Sequence, residues 1–184
     1  TGNGVINLTN PGVISGTLGV TGGNWNGAGS VTGVVTSSSG TFNIGSGANL
    51  TATSGLNVTG GTIASGSGTS TITGSVNYTS ASSSTFNGVI AGSGKTVTMN
   101  NGSGSLTLGG SNTYTGLTDV QAGTLAFGAS NVIADTASVK VSGGTLAIGT
   151  RSDTVAGVQL TAGSITGSSG VLTSTSTYDV QAGS

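Results

Sequence analysis

A short signature recurs along this chain at a nearly constant interval: a glycine, then a small hydroxyl or amide residue, then a large apolar one. It stands at Gly23-Asn24-Trp25, Gly40-Thr41-Phe42, Gly61-Thr62-Ile63, Gly104-Ser105-Leu106, Gly123-Thr124-Leu125, Gly144-Thr145-Leu146 and Gly163-Ser164-Ile165, with Ser84-Thr85-Phe86 filling the one gap. With the apolar member as marker, the intervals are 17, 21, 23, 20, 19, 21 and 19 residues. A steady period near twenty is the mark of chains built from stacked supersecondary units. The carboxy-terminal half sharpens it: Val120-Gln-Ala-Gly-Thr-Leu125, Val141-Ser-Gly-Gly-Thr-Leu146 and Leu160-Thr-Ala-Gly-Ser-Ile165 superimpose residue for residue, and Val180-Gln-Ala-Gly-Ser184 begins a fourth copy.

Between markers the chain alternates apolar and polar residues over three to five positions, as in Thr41-Phe42-Asn43-Ile44, Leu56-Asn57-Val58, Thr96-Val97-Thr98-Met99, Leu106-Thr107-Leu108 and Val139-Lys140-Val141. That is the period of strands with one buried face. Asn26-Gly27, Asn87-Gly88, Asn101-Gly102 and many Gly-Ser pairs punctuate them, because Gly and Asn accept positive φ at low cost. Residues 130–139 have room for one helical turn; elsewhere helical periodicity is missing.

Short strands at this period leave a sandwich of hairpins or a parallel β-solenoid. A sandwich has no need for the same Gly-Thr-Leu at the same phase of every unit. A solenoid does, because equivalent residues stack one above another at about 4.8 Å per rung. Twenty residues trace a perimeter of roughly 65 Å, enough for three short faces around a thin core. The whole chain then reads as one segment, 1–184, of about eight or nine rungs and about 40 Å in length. The expected core markers are Trp25, Phe42, Ile63, Phe86, Leu106, Leu125, Leu146 and Ile165, stacked inside. Outside, Thr and Ser keep the rod wettable, and fourteen asparagines are available for amide ladders.

Composition excludes several functions. Charged residues are 4% of the chain: Lys95, Lys140, Arg151, Asp119, Asp135, Asp153 and Asp179. Three cations cannot form the basic stripe that a nucleic-acid binder needs. With 33% apolar residues and a mean hydropathy of +0.23, the chain is too apolar and too weakly charged for long disorder. Cysteine is absent, which removes disulfides, thiolate metal sites and thiol nucleophiles. No apolar run is long enough to span a bilayer as a helix. The chain starts at Thr1 rather than Met and reads as a segment of a longer precursor.

The stretch from Gly104 to Leu125 contains Leu106-Thr-Leu108, Asn112-Thr-Tyr-Thr-Gly116 and Val120-Gln-Ala-Gly-Thr-Leu125 in succession. It resembles the autotransporter-associated β-strand repeat, and Gly88-Val-Ile-Ala-Gly-Ser-Gly94 is similar to the lead-in such repeats carry. The resemblance implies a right-handed parallel β-helix in the passenger region of a Gram-negative surface or secreted protein. It implies scaffold and location rather than a chemistry.

Candidate sites are few. Gly94-Lys95-Thr96 matches the end of a phosphate-binding loop, but Val89 stands where its first glycine belongs and Val97-Thr98-Met99 reads as strand where a helix is required. Without His, Cys or Glu, the acid–base inventory is four Asp, two Lys and three Tyr, which read as solvated turn charges rather than a catalytic set. A cleft joining Asp119, Asp135 or Asp153 to Lys140 or Arg151 would favour a passenger enzyme. No calcium-binding repeat is present, and no cofactor or metal is expected. Thr51-Ala-Thr53, Thr71-Ile-Thr73, Thr96-Val-Thr98, Thr113-Tyr-Thr115 and Thr175-Ser-Thr177 offer outward hydroxyl pairs for ice, and Trp25, Tyr78, Tyr114 and Tyr178 offer rings for sugars.

The function expected is therefore structural or adhesive, extracellular and non-enzymatic, in a fibre-forming rod, with a glycan- or ice-binding module or an enzyme's stalk as alternatives. Its partner is itself, head to tail or as tandem repeats, with glycans or other surface components as further candidates. A solenoid end is an unpaired strand edge, and neither Thr1–Leu8 nor Val180–Ser184 carries the charges or helix that blunt one. Val5, Ile6, Leu8, Tyr178 and Val180 are the expected assembly ends.

Overall fold

The computed structural model describes residues 4–66 and 69–183, and over residues 5–11 the course of the backbone. The described residues coil into an all-β parallel solenoid of about eight turns, with three faces and no helix. Every strand pairing in it is parallel. A chain that always coils in one direction meets its previous turn running the same way, so parallel pairing follows from the repeat.

Face one is unbroken. Its inward column runs Leu18, Val35, Leu56, Val76, Val97, Thr118, Val139, Val158, Tyr178, each residue in register with the next. The steps are 17, 21, 20, 21, 21, 21, 19 and 20 residues, which is the period read from the sequence. Two positions on lies a second inward column containing Val58, Tyr78, Met99, Val120, Val141 and Leu160, all buried. Between the two stand the outward residues Thr36, Asn57, Asn77, Thr98, Asp119, Lys140, Gln159 and Asp179. Alternation by twos thus sorts the strand into core and surface.

Face two carries the markers. Four long strands, Val97–Leu108, Thr118–Phe127, Val139–Gly149 and Val158–Gly167, run through the corner from face one onto it. Leu106, Leu125, Leu146 and Ile165 stack directly there. Toward the amino terminus the register differs from the marker spacing. Trp25 stacks on Ile44 while Phe42 stands over Gly23, and Phe86 stacks on Leu108 while Leu106 stands over Ser84. The offset is two residues, so every side chain keeps its face. Ser84 leaves an apolar column short of a side chain, and its hydroxyl accepts the Ile63 N–H (3.0 Å). Tyr78 reaches across from face one, placing its phenol oxygen 2.7 Å from the Ser84 hydroxyl and donating to the Ser82 carbonyl (2.7 Å).

Face three runs from Gly12–Ile14 over the second half of Gly23–Val31 to Leu50, Ile72 and Ile90, which stack inward, and then departs from the pattern. After Thr113–Tyr114 the next turn forms no strand over 128–138, and pairing resumes between Asp153–Val155 and Leu172–Ser174. The helical turn expected in 130–139 is a reverse turn instead, closed by the Ala137 N–H on the Ala134 carbonyl (2.8 Å). Val132, Ile133 and Ala137 bury themselves in the core, which pulls the chain off the ladder. Asn131 takes a left-handed φ of 54° at that bend.

The glycine of the signature is explained at the corner between faces one and two. Gly123 (φ 76°) and Gly163 (φ 81°) adopt left-handed backbone, and a Cβ on either would run into the carbonyl oxygen of the rung below, Asn101 and Gly144 respectively. Conformation and close approach both demand glycine. Gly163→Ala should therefore destabilise the rod by about 2 kcal/mol or more, read as a lowered urea midpoint. Leu125→Ala, buried between Leu106 and Leu146, should cost about 2–5 kcal/mol. Leu125→Asp should prevent the rung from forming, because a lone carboxylate there has no partner; retained folding by circular dichroism would contradict the stacking.

Candidate functional site

The solenoid turns most expected site residues into core. Trp25, Phe42, Ile63, Phe86, Leu106, Leu125 and Leu146 are fully buried, whereas Ile165 is half-buried because no described strand covers its far side. Trp25, Tyr78 and Tyr114 are also sealed inside. The Trp25 indole donates to the Asn49 carbonyl (3.3 Å), and the Tyr114 hydroxyl pairs with Thr118 Oγ1 (2.6 Å). Among the four rings considered for sugars, only Tyr178 reaches solvent, at 56% exposure.

The Thr-x-Thr pairs do not share one face. Thr51, Thr73 and Thr113 belong to an outward column of face three that Ala91 interrupts. Face two presents a different set, Thr41 over Thr62 and then Ser83, Ser105, Thr124, Thr145 and Ser164 in succession, which the triplet pattern did not pick out. Among the described residues an asparagine ladder is seen in the hydrogen bond from Asn43 Nδ2 to Asn24 Oδ1 (3.0 Å). Gly94-Lys95-Thr96 is a turn leading into strand Val97–Leu108, with the Lys95 ammonium on the Thr53 carbonyl (3.5 Å).

Charges gather on the outward column of face one, where Asp119, Lys140, Gln159 and Asp179 follow one another. Asp119 accepts from Gln121 (2.8 Å) and Ser142 (3.0 Å), and Asp179 accepts from Gln159 and Gln181 (both 2.9 Å). Those amide hydrogen bonds hold the Asp179 carboxyl below the usual carboxylate range. Beside the column a shallow groove of about 440 Å³ is lined by Leu117, Ser138, Lys140, Gln159 and Asp179 among others, and Asp119, Asp135 and Asp153 are not in it. Among the described residues no cluster of metal-ligating side chains occurs, and no helix is long and apolar enough to cross a membrane.

Asp153 corrects the expectation that the charges sit on solvated turns. It is 2% exposed and occupies an inward position of face three, over Leu172. Its Oδ2 accepts the N–H groups of Val132 (2.8 Å) and Ile133 (3.0 Å), while Oδ1 has no partner. Asn112, also buried, does the matching job from the other side of the 128–138 turn: Oδ1 accepts the Ile90 N–H (2.7 Å), and Nδ2 donates to the Val132 carbonyl (2.6 Å). The two side chains replace the ladder that 128–138 does not supply. Neither was visible in the sequence, where Asn112 is one of many amides and Asp153 follows Arg151 in a polar stretch.

The carboxy-terminal end is the most exposed apolar feature. Tyr178 and Val180 stack in register on Val158 and Leu160 but are 56% and 65% exposed. The Tyr178 phenol crosses to face three, where its oxygen accepts the Ser174 N–H (2.8 Å) and donates to the Leu172 carbonyl. Of the remaining expected ends, Val5, Ile6 and Leu8 lie in strand Gly4–Ile14; their side chains are outside the described residues.

Burial pushes the Asp153 carboxyl above its ordinary value, opposed by its backbone hydrogen bonds and reinforced by the nearby Asp135 charge. Tyr114, deeply buried, is raised as well. A carboxyl raised in the folded state contributes stability that is complete below its unfolded pKa and is lost as pH rises through the folded one. The Asp153 contribution should thus be largest in acid. Melting temperatures across pH 3–7 should show this as a difference between the wild type and Asp153→Asn, which keeps the acceptor and removes the titration.

Residues 101–127 fit the family model described as Passenger-associated-transport-repeat, a stretch running from within strand Val97–Leu108 to the end of Thr118–Phe127. No curated protein and no solved structure matches the chain. Over residues 101–127 this chain is therefore similar to the passenger-associated transport repeat, in agreement with the resemblance seen in its sequence.

Proposed function

We propose that this chain is a non-enzymatic structural rod of a Gram-negative bacterial surface, and that it extends end to end into a fibre. The repeat at 101–127 supports a passenger-type β-helix at the surface. The observation that carries the fibre is the register itself. The inward column of face one runs unbroken from Leu18 to Tyr178, each residue in register with its equivalent in the next turn. A rung completed by an equivalent neighbour on either side is a unit that can be extended by further rungs.

The surface chemistry supports the same reading. A net charge of −1 from only seven charged residues gives little colloidal repulsion between rods. The hydroxyl column of face two adds an uncharged, regularly spaced surface for lateral or adhesive contact. Electron microscopy of the purified chain over a range of concentrations tests the fibre. Filaments with an axial repeat of about 4.8 Å are expected. Isolated rods about 40 Å long at every concentration would leave the chain a short displayed module and sink the fibre.

A further inference from the structure

The charges on the outward column of face one are not paired with one another. Asp119 gives both oxygens to the corner toward face two, Oδ2 to Gln121 (2.8 Å) and Oδ1 to Ser142 (3.0 Å). Its neighbour in the column, the Lys140 ammonium, has no hydrogen-bond or ion-pair partner among the described residues. Lys140 instead lines the groove of about 440 Å³ along the opposite corner, between faces three and one. Lys140 and Gln159 stand in turns with a described neighbour on either side, and their outward positions open the groove sideways from the rod.

The corner residue before each face-one strand shapes the groove. It is Leu117, then Ser138, Gly157 and Thr177 in successive turns, so across these turns the side chain is missing at Gly157. Gly157 does not take a left-handed φ, and a Cβ on it would meet the Ser176 Oγ at 3.3 Å and the Ser138 Oγ at 3.6 Å. Backbone conformation does not demand glycine here as it does at Gly163; what the glycine supplies is a hollow. Lys140 is a cationic donor beside it. Asp179 is the acceptor, and its two amide hydrogen bonds, from Gln159 and Gln181 (both 2.9 Å), land on Oδ2 and leave Oδ1 open among the described residues. Leu117, 36% exposed, offers an apolar contact in the same groove.

We propose that this groove binds a neutral saccharide, with a sugar ring seated over Gly157 between the Lys140 ammonium and the Asp179 carboxylate. The inference goes beyond the fibre reading and does not depend on it. One cation and one anion line the groove, so a charged ligand would satisfy one and oppose the other. A sugar hydroxyl both donates and accepts, and neighbouring hydroxyls on one ring therefore serve both groups with charge-assisted hydrogen bonds. The groove volume lies in the range of small-molecule sites. A peptide strand finds no edge here, because the face-one strands that line the groove at Val139 and Val158 are paired on both sides.

Saturation-transfer difference NMR on the whole chain tests the site, since it reads the free sugar and works on single rods and filaments alike. The probes are the methyl glycosides of glucose, galactose and mannose at millimolar concentration, with glucuronate and glucosamine as the anionic and cationic counterparts. Saturation is expected to reach at least one neutral glycoside. Gly157→Val, which fills the hollow, and Lys140→Ala, which removes the donor, should each weaken that binding about tenfold or more, while Thr124→Ala on face two leaves it unchanged. Circular dichroism checks folding, and Lys140→Ala, at an outward position, keeps the test decisive should Gly157→Val fail to fold. No transfer to any neutral glycoside overturns the proposal, as does wild-type binding by Lys140→Ala, or a response confined to glucuronate or to glucosamine.

Discussion

Every rung of this molecule is completed by its neighbours. A turn of about twenty residues encloses too little apolar surface to hold itself together, and half of its backbone groups point at the turn above and half at the turn below. Stability is therefore a sum of nearest-neighbour terms, each made of a parallel ladder and a few stacked aliphatic side chains. In-register stacking is the constraint from which the rest follows: the alternation that sorts core from surface, the glycines that let backbones close at the corner, and the small hydroxyl residues outside. A substitution in one rung is felt mainly by the rungs on either side of it.

The same constraint explains the polar groups in the interior. Face three loses its ladder over 128–138 because Val132, Ile133 and Ala137 turn into the core, and the orphaned backbone groups need partners that water cannot provide there. Asn112 and Asp153 supply them from inward positions where aliphatic residues stand in other turns. Asparagine does this without a charge. Aspartate leaves one oxygen without a partner and a carboxyl that titrates above its usual range. Ser84 and Tyr78 make a smaller splice of the same kind on face two. Asn112, Asp153 and Ser84 thus mark places where one turn fails to match the next.

A structure completed by its neighbours ties its architecture to the proposed function, since each turn offers the next an equivalent surface. At the last described turn Ile165 is only half-buried, and the Tyr178 hydroxyl bonds Ser174 and Leu172 across two faces. Of the titratable groups, Asp153, Tyr78 and Tyr114 lie in the interior, Asp119, Lys140 and Asp179 stand in the outer column of face one, and Asp135 and Arg151 lie exposed outside it.

The twenty-residue period, with its Gly-Thr-Leu phase and two-residue alternation, was sufficient to establish from sequence a parallel β-solenoid and the inward direction of its apolar residues. Register over Val120–Leu125, Val141–Leu146 and Leu160–Ile165 was legible for the same reason, since the three segments match residue for residue. Trp25 and Phe86 stack two residues away from the marker alignment because alternation fixes the face of a side chain and leaves its column open. Only the tertiary structure decided which polar residues go inside and where the Tyr178 hydroxyl bonds. Those choices depend on where a neighbouring turn leaves an N–H or C=O unpaired, and Asn112, Asp153 and Tyr178 answer groups twenty, twenty-one and four residues away along the chain. Nothing in their local sequence carries that information; the coil brings the partners together.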